Sequence, residues 1–169
     1  RRHHALLGER IGIDIANMTY DLIENLVVNY DQPADYEELS LELMRVLTIE
    51  PPFTEKEFAQ LGREEKIERL YAAANSNLER RSQRIIEIAT PVVKEWVENR
   101  GATGKIIVPM TDGKRIFHLR ADINEAYNSG CRSIVKEWHK AILLVTIDEL
   151  WKEHLRELDD LRQSVQNAS

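Results

Sequence analysis

Residues 143–165 read LLVTIDELWKEHLRELDDLRQSV, and the fold turns on how this stretch is taken. Apolar side chains crowd Leu143, Leu144, Val145, Ile147, Leu150 and Trp151, then thin to Leu155, Leu158 and Leu161. Steps of three and four put such residues on one face of a helix. The first part is apolar over more of its circumference than one neighbour covers, so it is either enclosed on several sides or docks a partner. The second part is a polar helix with a leucine seam, which projects from a core. Traced backwards through Val145, Ile142 and Trp138, the pattern predicts one long helix from about residue 131 to the end of the chain.

The same stretch gathers Asp148, Glu149, Glu153 and His154 around a tryptophan, as a carboxylate–histidine site would. Helix geometry argues against that. Adjacent residues diverge by about 100° around the axis, so Glu153 and His154 cannot meet on one proton. Asp148 with Lys152, and Arg156 with Asp160, have the i,i+4 spacing of surface ion pairs. Metal binding has no better support, since His3 and His4 are adjacent and His139 and His154 are fifteen apart. Helical ligand pairs need a spacing of three or four. Phosphate-binding glycine loops and the nucleophile-elbow motif are missing from the sequence.

Upstream, residues 3–30 read as another long helix, with Ile11, Ile15, Met18, Leu22 and Leu26 on one face. Pro33 in DQPAD ends it. Two short helices follow. Asp35 with Glu38, and Thr54 with Glu57, have the spacing of capping boxes, and Phe53 and Phe58 flank the second at staple positions. Gly62 closes that helix. From about Arg63 to Asn99 a further long helix carries Ile67, Leu70, Ala74, Leu78, Ile85, Ala89, Val92 and Trp96, with a kink expected at Pro91.

The segment GKIIVPMTDGKRIFHLRAD, residues 104–122, changes period. Asp112-Gly113 between apolar runs is a hairpin signal, because a two-residue turn needs positive φ. Pairing Thr111 with Lys114 then sets Val108 opposite Phe117, Ile106 opposite Leu119 and Ile107 opposite His118. Pro109 belongs at an edge position. An isolated hairpin is marginal, so its apolar side must rest on helices. Asp122, three before Glu125, restarts the helix. The expected fold class is mainly α: long antiparallel helices, short helices between them, and one inserted β-hairpin.

At 169 residues the chain can bury a core without staples. Its seven glycines and five prolines suit long helices. A net charge of −6 disfavours a nucleic-acid partner. No 18-residue apolar run predicts a transmembrane segment. The single Cys131 excludes an internal disulfide, fits a reducing compartment, and reads as a small packing residue. The start at RRHHALLGER without methionine, and the end at VQNAS, suggest a piece of a larger protein.

With Ile147-Asp148, Leu150-Trp151-Lys152-Glu153-His154-Leu155 and Asp160-Leu161-Arg162-Gln163 in this order, residues 143–165 resemble the helical scaffold of SecA, the motor subunit of bacterial preprotein translocation. RRHHALLGERI resembles the preceding scaffold segment, and the short capped helices resemble the family's helical wing. The resemblance implies a first scaffold helix at 1–30, a wing at 31–130 with an inserted hairpin at about 104–120, and a second scaffold helix at 131–169 that is the first arm of a two-helix finger. It implies that ATP and Mg²⁺ serve motor segments elsewhere in the full-length ATPase, and that these residues hold no cofactor and hydrolyse nothing alone. Partners implied are the SecY channel, the preprotein and the motor domains, at a cytoplasmic, peripheral inner-membrane location. Interaction residues implied are Asp148, Trp151, Lys152, His154, Arg156 and Arg162, with Trp151 packing between scaffold elements and the cations facing motor or channel. The residues taken alone also suit a free-standing helical adaptor that docks a partner through its Trp-rich C-terminal helix. A small hydrolase or metal enzyme is a third reading.

Overall fold

The structure, a computed structural model, describes residues 11–111 and 115–168. Helices dominate, as the periodicity predicts. Helix α1 spans Ile11–Asn29, a 3₁₀ turn spans Pro33–Asp35, and α2 spans Tyr36–Leu47. Short α3 (Glu55–Gln60) leads into the long α4 (Arg63–Arg100). Strands β1 (Lys105–Thr111) and β2 (Ile116–Asp122) form the hairpin, followed by α5 (Ile123–Asn128) and α6 (Arg132–Ala168). The expected helical start over residues 1–10, and with it His3, His4 and Gly8, lies outside the described residues.

Three long helices run alongside one another. Tyr20 of α1 meets Tyr71 of α4 edge-on, with ring centroids 5.6 Å apart. Ile15 and Met18, earlier in α1, cluster with Leu78 of α4 and with Leu143 and Ile147 of α6. Tyr127, just before α6, bonds Glu98 near the end of α4, whereas Leu78 lies beside Leu143 and Ile147. Positions thus rise along α1 and α6 as they fall along α4, which makes α4 antiparallel to both.

Two larger apolar clusters divide the molecule. One joins the second half of α1 (Leu22, Ile23, Leu26, Val27) to Leu39, Leu43, Phe53, Phe58 and the first turns of α4. The other joins Ile85 and Val93 of α4 to Phe117, Leu119 and Ala121 of β2 and to Ile134, Val135 and Trp138 of α6. Cys131 is buried there at a positive φ of 65°.

The caps divide. Thr54 forms its box: the Glu57 amide donates to Thr54 Oγ1 at 3.2 Å, and the Thr54 amide donates to Glu57 Oε2 at 2.8 Å. Phe53 and Phe58 are buried and stacked at 5.6 Å. Asp122 also caps, accepting from the Glu125 amide at 3.0 Å. Asp35 does not serve Glu38. Its backbone is already helical, and its carboxylate accepts from the Gln32 amide at 3.0 Å. Proline at the first position of the preceding turn draws the start of the helix back, so Asp35 satisfies a donor one turn earlier. Gly62 caps the start of α4 with an extended φ of −73° instead of closing α3.

Helix α4 continues through Pro91 as one element. Its buried face passes through Ile85 and Val93, while Val92 is exposed, so the buried stripe lies one position away from the expected Val92. Met44 on α2 is likewise exposed.

The hairpin forms with a corrected register. Val108 pairs with Leu119, Ile106 with Ala121, Pro109 with His118 and Thr111 with Ile116. The connection between paired Thr111 and Ile116 is therefore four residues, not two. The Asp112-Gly113 pair lies outside the described residues. A shift of two preserves side-chain alternation, so the predicted apolar face still turns inward: Phe117, Leu119 and Ala121 are buried, and Pro109 is exposed.

Candidate functional site: the arm and its base

Helix α6 changes character halfway along. Ile134, Trp138, Leu143 and Ile147 are buried, Asp148 and Glu149 are half-buried, and every residue from Trp151 to Ala168 is exposed. Trp151 is 60% exposed, and Leu155, Leu158, Leu161 and Val165 are exposed along the same helix. Most of the Trp151 ring is therefore open to solvent in this part of the protein. The side chain of Leu150 lies outside the described set. The projecting polar helix with a leucine seam is as the sequence predicts.

Charged groups ring the point where the arm leaves the core. Arg115, immediately before the second hairpin strand, lies 3.8 Å from Glu149, and Lys152 lies at the same distance from that carboxylate. Arg45 of α2 grips Glu42 through two contacts, at 2.7 and 3.2 Å. Its hydrogen bond to Glu42 raises its pKa despite partial burial, and the fields of Glu153 and Glu149 add to the effect. Burial raises the Tyr30 pKa, with further contributions from Glu42, Glu38 and Glu153. Arg45, Val46, Arg115, Thr146 and Glu149 line a cleft of about 230 Å³. The arm base is thus flanked by cationic side chains on two sides, Arg45 of α2 and Arg115 of the hairpin. Arg45 and Arg115 were not legible as site residues, because they are 70 positions apart in the sequence and meet only through the fold.

Farther out, Arg156 lies 3.8 Å from Glu153. Lys152 and Arg156 pair at i,i+3, where the sequence suggested Asp148 and Asp160 at i,i+4. Exposed pairs at such distances contribute about 0–1 kcal/mol, so they leave the arm's charge available to a partner. His154 meets Trp151 edge-on, with ring centroids 5.9 Å apart. Arg162 is exposed. The six implied interaction residues therefore sit along one helix, spread from its half-buried base to its exposed end.

The other histidines take separate roles. His118 is exposed on β2, opposite Pro109. His139 lies 3.0 Å from Ser82 Oγ, whose own proton goes to the Leu78 carbonyl at 2.8 Å. Ser82 must then accept, so His139 donates from Nε2. Burial lowers the His139 pKa, opposed by the field of Glu79. The arrangement links α4 to α6 and does not activate the serine. Among the described residues no three His, Cys, Asp or Glu side chains gather as metal ligands. No described helix is long and apolar enough to cross a membrane.

Short capped helices and a hairpin mounted on long antiparallel helices, one of which runs free of the core, define a helical scaffold module. The chain belongs to the SecA wing and scaffold domain family, which matches residues 1–169. It is 47% identical over 171 residues to the protein translocase subunit SecA of Parabacteroides distasonis, a match covering all of this chain and 15% of that protein. The corresponding subunits of Bacteroides fragilis and Porphyromonas gingivalis are 45% and 46% identical, again over all of this chain and 15% of theirs. The chain therefore spans about a seventh of the length of these curated relatives. No solved structure matches it at a significant level.

Proposed function

We propose that this chain is the wing-and-scaffold part of a protein-translocating ATPase, and that α6 couples movement of the motor to transport of a preprotein through a SecY-type channel. The observation carrying this reading is the division of α6 into an enclosed base and a fully exposed continuation. A helix anchored in two clusters, its base flanked by Arg45 and Arg115, passes a displacement at one end to the other with little bending. Residues 1–30 and 131–169 act as scaffold and 31–130 as wing. ATP and Mg²⁺ serve other segments of the whole protein, which works at the cytoplasmic face of the inner membrane. Trp151 and the leucine seam pack against a neighbouring helix. Lys152, Arg156 and Arg162 face the motor or the channel, and Asp148 and His154 are further contact residues of the same helix.

The test uses the intact protein with Lys152, Arg156 and Arg162 all replaced by glutamate. Because these positions are exposed, thermal unfolding should shift by no more than about 0.5 kcal/mol per substitution. Transport of a preprotein into membrane vesicles should fall at least about tenfold, equivalent to about 1.4 kcal/mol of lost coupling, while ATP hydrolysis without vesicles persists. Unchanged transport would remove the arm from the coupling path.

A further inference from the structure

A second feature of the molecule lies away from the arm, between α4 and the hairpin. A groove of about 740 Å³ runs there, within the size range of ligand-binding clefts. Ile88, Val92 and Trp96 form one wall. Ile88 is 61% exposed and Val92 42%, an unusual outlay of apolar surface for one stretch of helix. The other wall is six consecutive residues of β1, Ile106 to Thr111, with none from β2. Side chains alternate along a strand, so consecutive lining residues mean that the groove follows the strand edge itself. In this two-stranded sheet, that is the edge of β1 that β2 leaves unpaired.

Among the described residues, the charged ones lining the groove are Arg81 and Arg84. Within that set neither has an ion-pair partner, and no acidic side chain lines the groove with them. A cationic end, an apolar wall and an unpaired strand edge specify an occupant in three respects. It needs a carboxylate for the arginines, which bind that group in a planar fork. It needs apolar side chains for Ile88, Val92 and Ile107. It also needs main-chain amides to use the edge, as strand addition does. Pro109 removes one donor from β1 and, like other edge prolines, guards against indiscriminate pairing. Side chains must therefore supply much of the recognition.

We propose that this groove binds an extended, apolar polypeptide segment carrying an acidic residue, seated along β1 with its carboxylate at Arg81 and Arg84. The site is separate from the arm, and its test does not read transport.

The test uses the intact protein and fluorescein-labelled octapeptides of alternating valine and threonine, ending in either glutamate or lysine, read by fluorescence anisotropy. The glutamate peptide should bind at least about tenfold more tightly than the lysine peptide. The double variant Arg81→Glu/Arg84→Glu should reverse that preference. Ile88→Asp should weaken both peptides, and a benzophenone side chain at position 107 should cross-link the glutamate peptide. All four positions are exposed or half-buried, and circular dichroism confirms that each variant is folded. The proposal is overturned if neither peptide binds, if charge reversal leaves the preference unchanged, or if no cross-link forms at 107. Displacement of the peptide by decanoate at equal concentration would also overturn it, since an alkyl carboxylate would then suffice without a strand.

Discussion

Lys66 is the one charged residue that is buried among the described residues. Its side chain is 5% exposed, its ammonium donates to Asp31 Oδ1 at 2.8 Å and to the Asp31 carbonyl at 3.2 Å, and it sits 4.0 Å above the Phe58 ring. Asp31 also binds Arg63 at 3.1 Å, and the Lys66 hydrogen bond holds its carboxyl below the usual range. Asp31→Ala leaves a buried ammonium with only a carbonyl and a ring, and should cost about 3 kcal/mol in urea unfolding. Asp31 was unremarkable in the sequence, since its partner is 35 residues away. His139 gives a pH dependence of opposite origin to an ordinary ion pair. Its folded pKa is depressed, so the unfolded chain binds the proton more readily. The stability it contributes is complete above the unfolded value of about 6.5 and is lost as pH falls below that. Unfolding followed from pH 7.5 to 5.5 should show a fall in the native chain that is reduced in His139→Gln. An equal fall in both would assign the effect to other groups.

Among the elements, α4 shows how far local chemistry reaches. Pro91 cannot donate to the Glu87 carbonyl, yet the helix runs from Arg63 to Arg100 as one piece. Pro91 is exposed, so water can reach the freed carbonyl, and Ile85 and Val93 anchor the helix on either side. Immediately before Pro91, Thr90 donates its hydroxyl to Ile86 O at 2.6 Å, back into the same helix. Pro91→Ala restores the missing bond at an exposed site and should stabilise the chain by about 1–3 kcal/mol, seen as a higher unfolding midpoint. Destabilisation would show that packing has adapted to the proline. The hairpin makes the complementary point. Alternation along KIIVPMT and IFHLRAD was enough to predict which face is buried, because that face depends only on parity. Its register depends on loop length, and Asp112-Gly113 suggested two residues where the strands leave four. The caps divide on the same line: Thr54 and Asp122 act locally, while Asp35 is displaced by the turn begun at Pro33.

For the whole molecule, periodicity along 143–165 and its extension to about residue 131 determined a long helix, and the loss of apolar residues after Trp151 determined that its end would project. The residue order around Asp148, Trp151 and His154 was also enough to indicate the family. These properties follow from side-chain spacing within one element, which needs no neighbour to define it. Only the tertiary structure decided what lies at the base of the arm and beside the hairpin. Arg45, Arg115 and Glu149 come together there from α2, the hairpin and α6, while Arg81 and Arg84 of α4 line one groove with β1. The physical reason is that electrostatics and groove shape act through space. A sequence records distance along the chain, and contacts spanning tens of residues exist only once antiparallel helices have set the elements side by side.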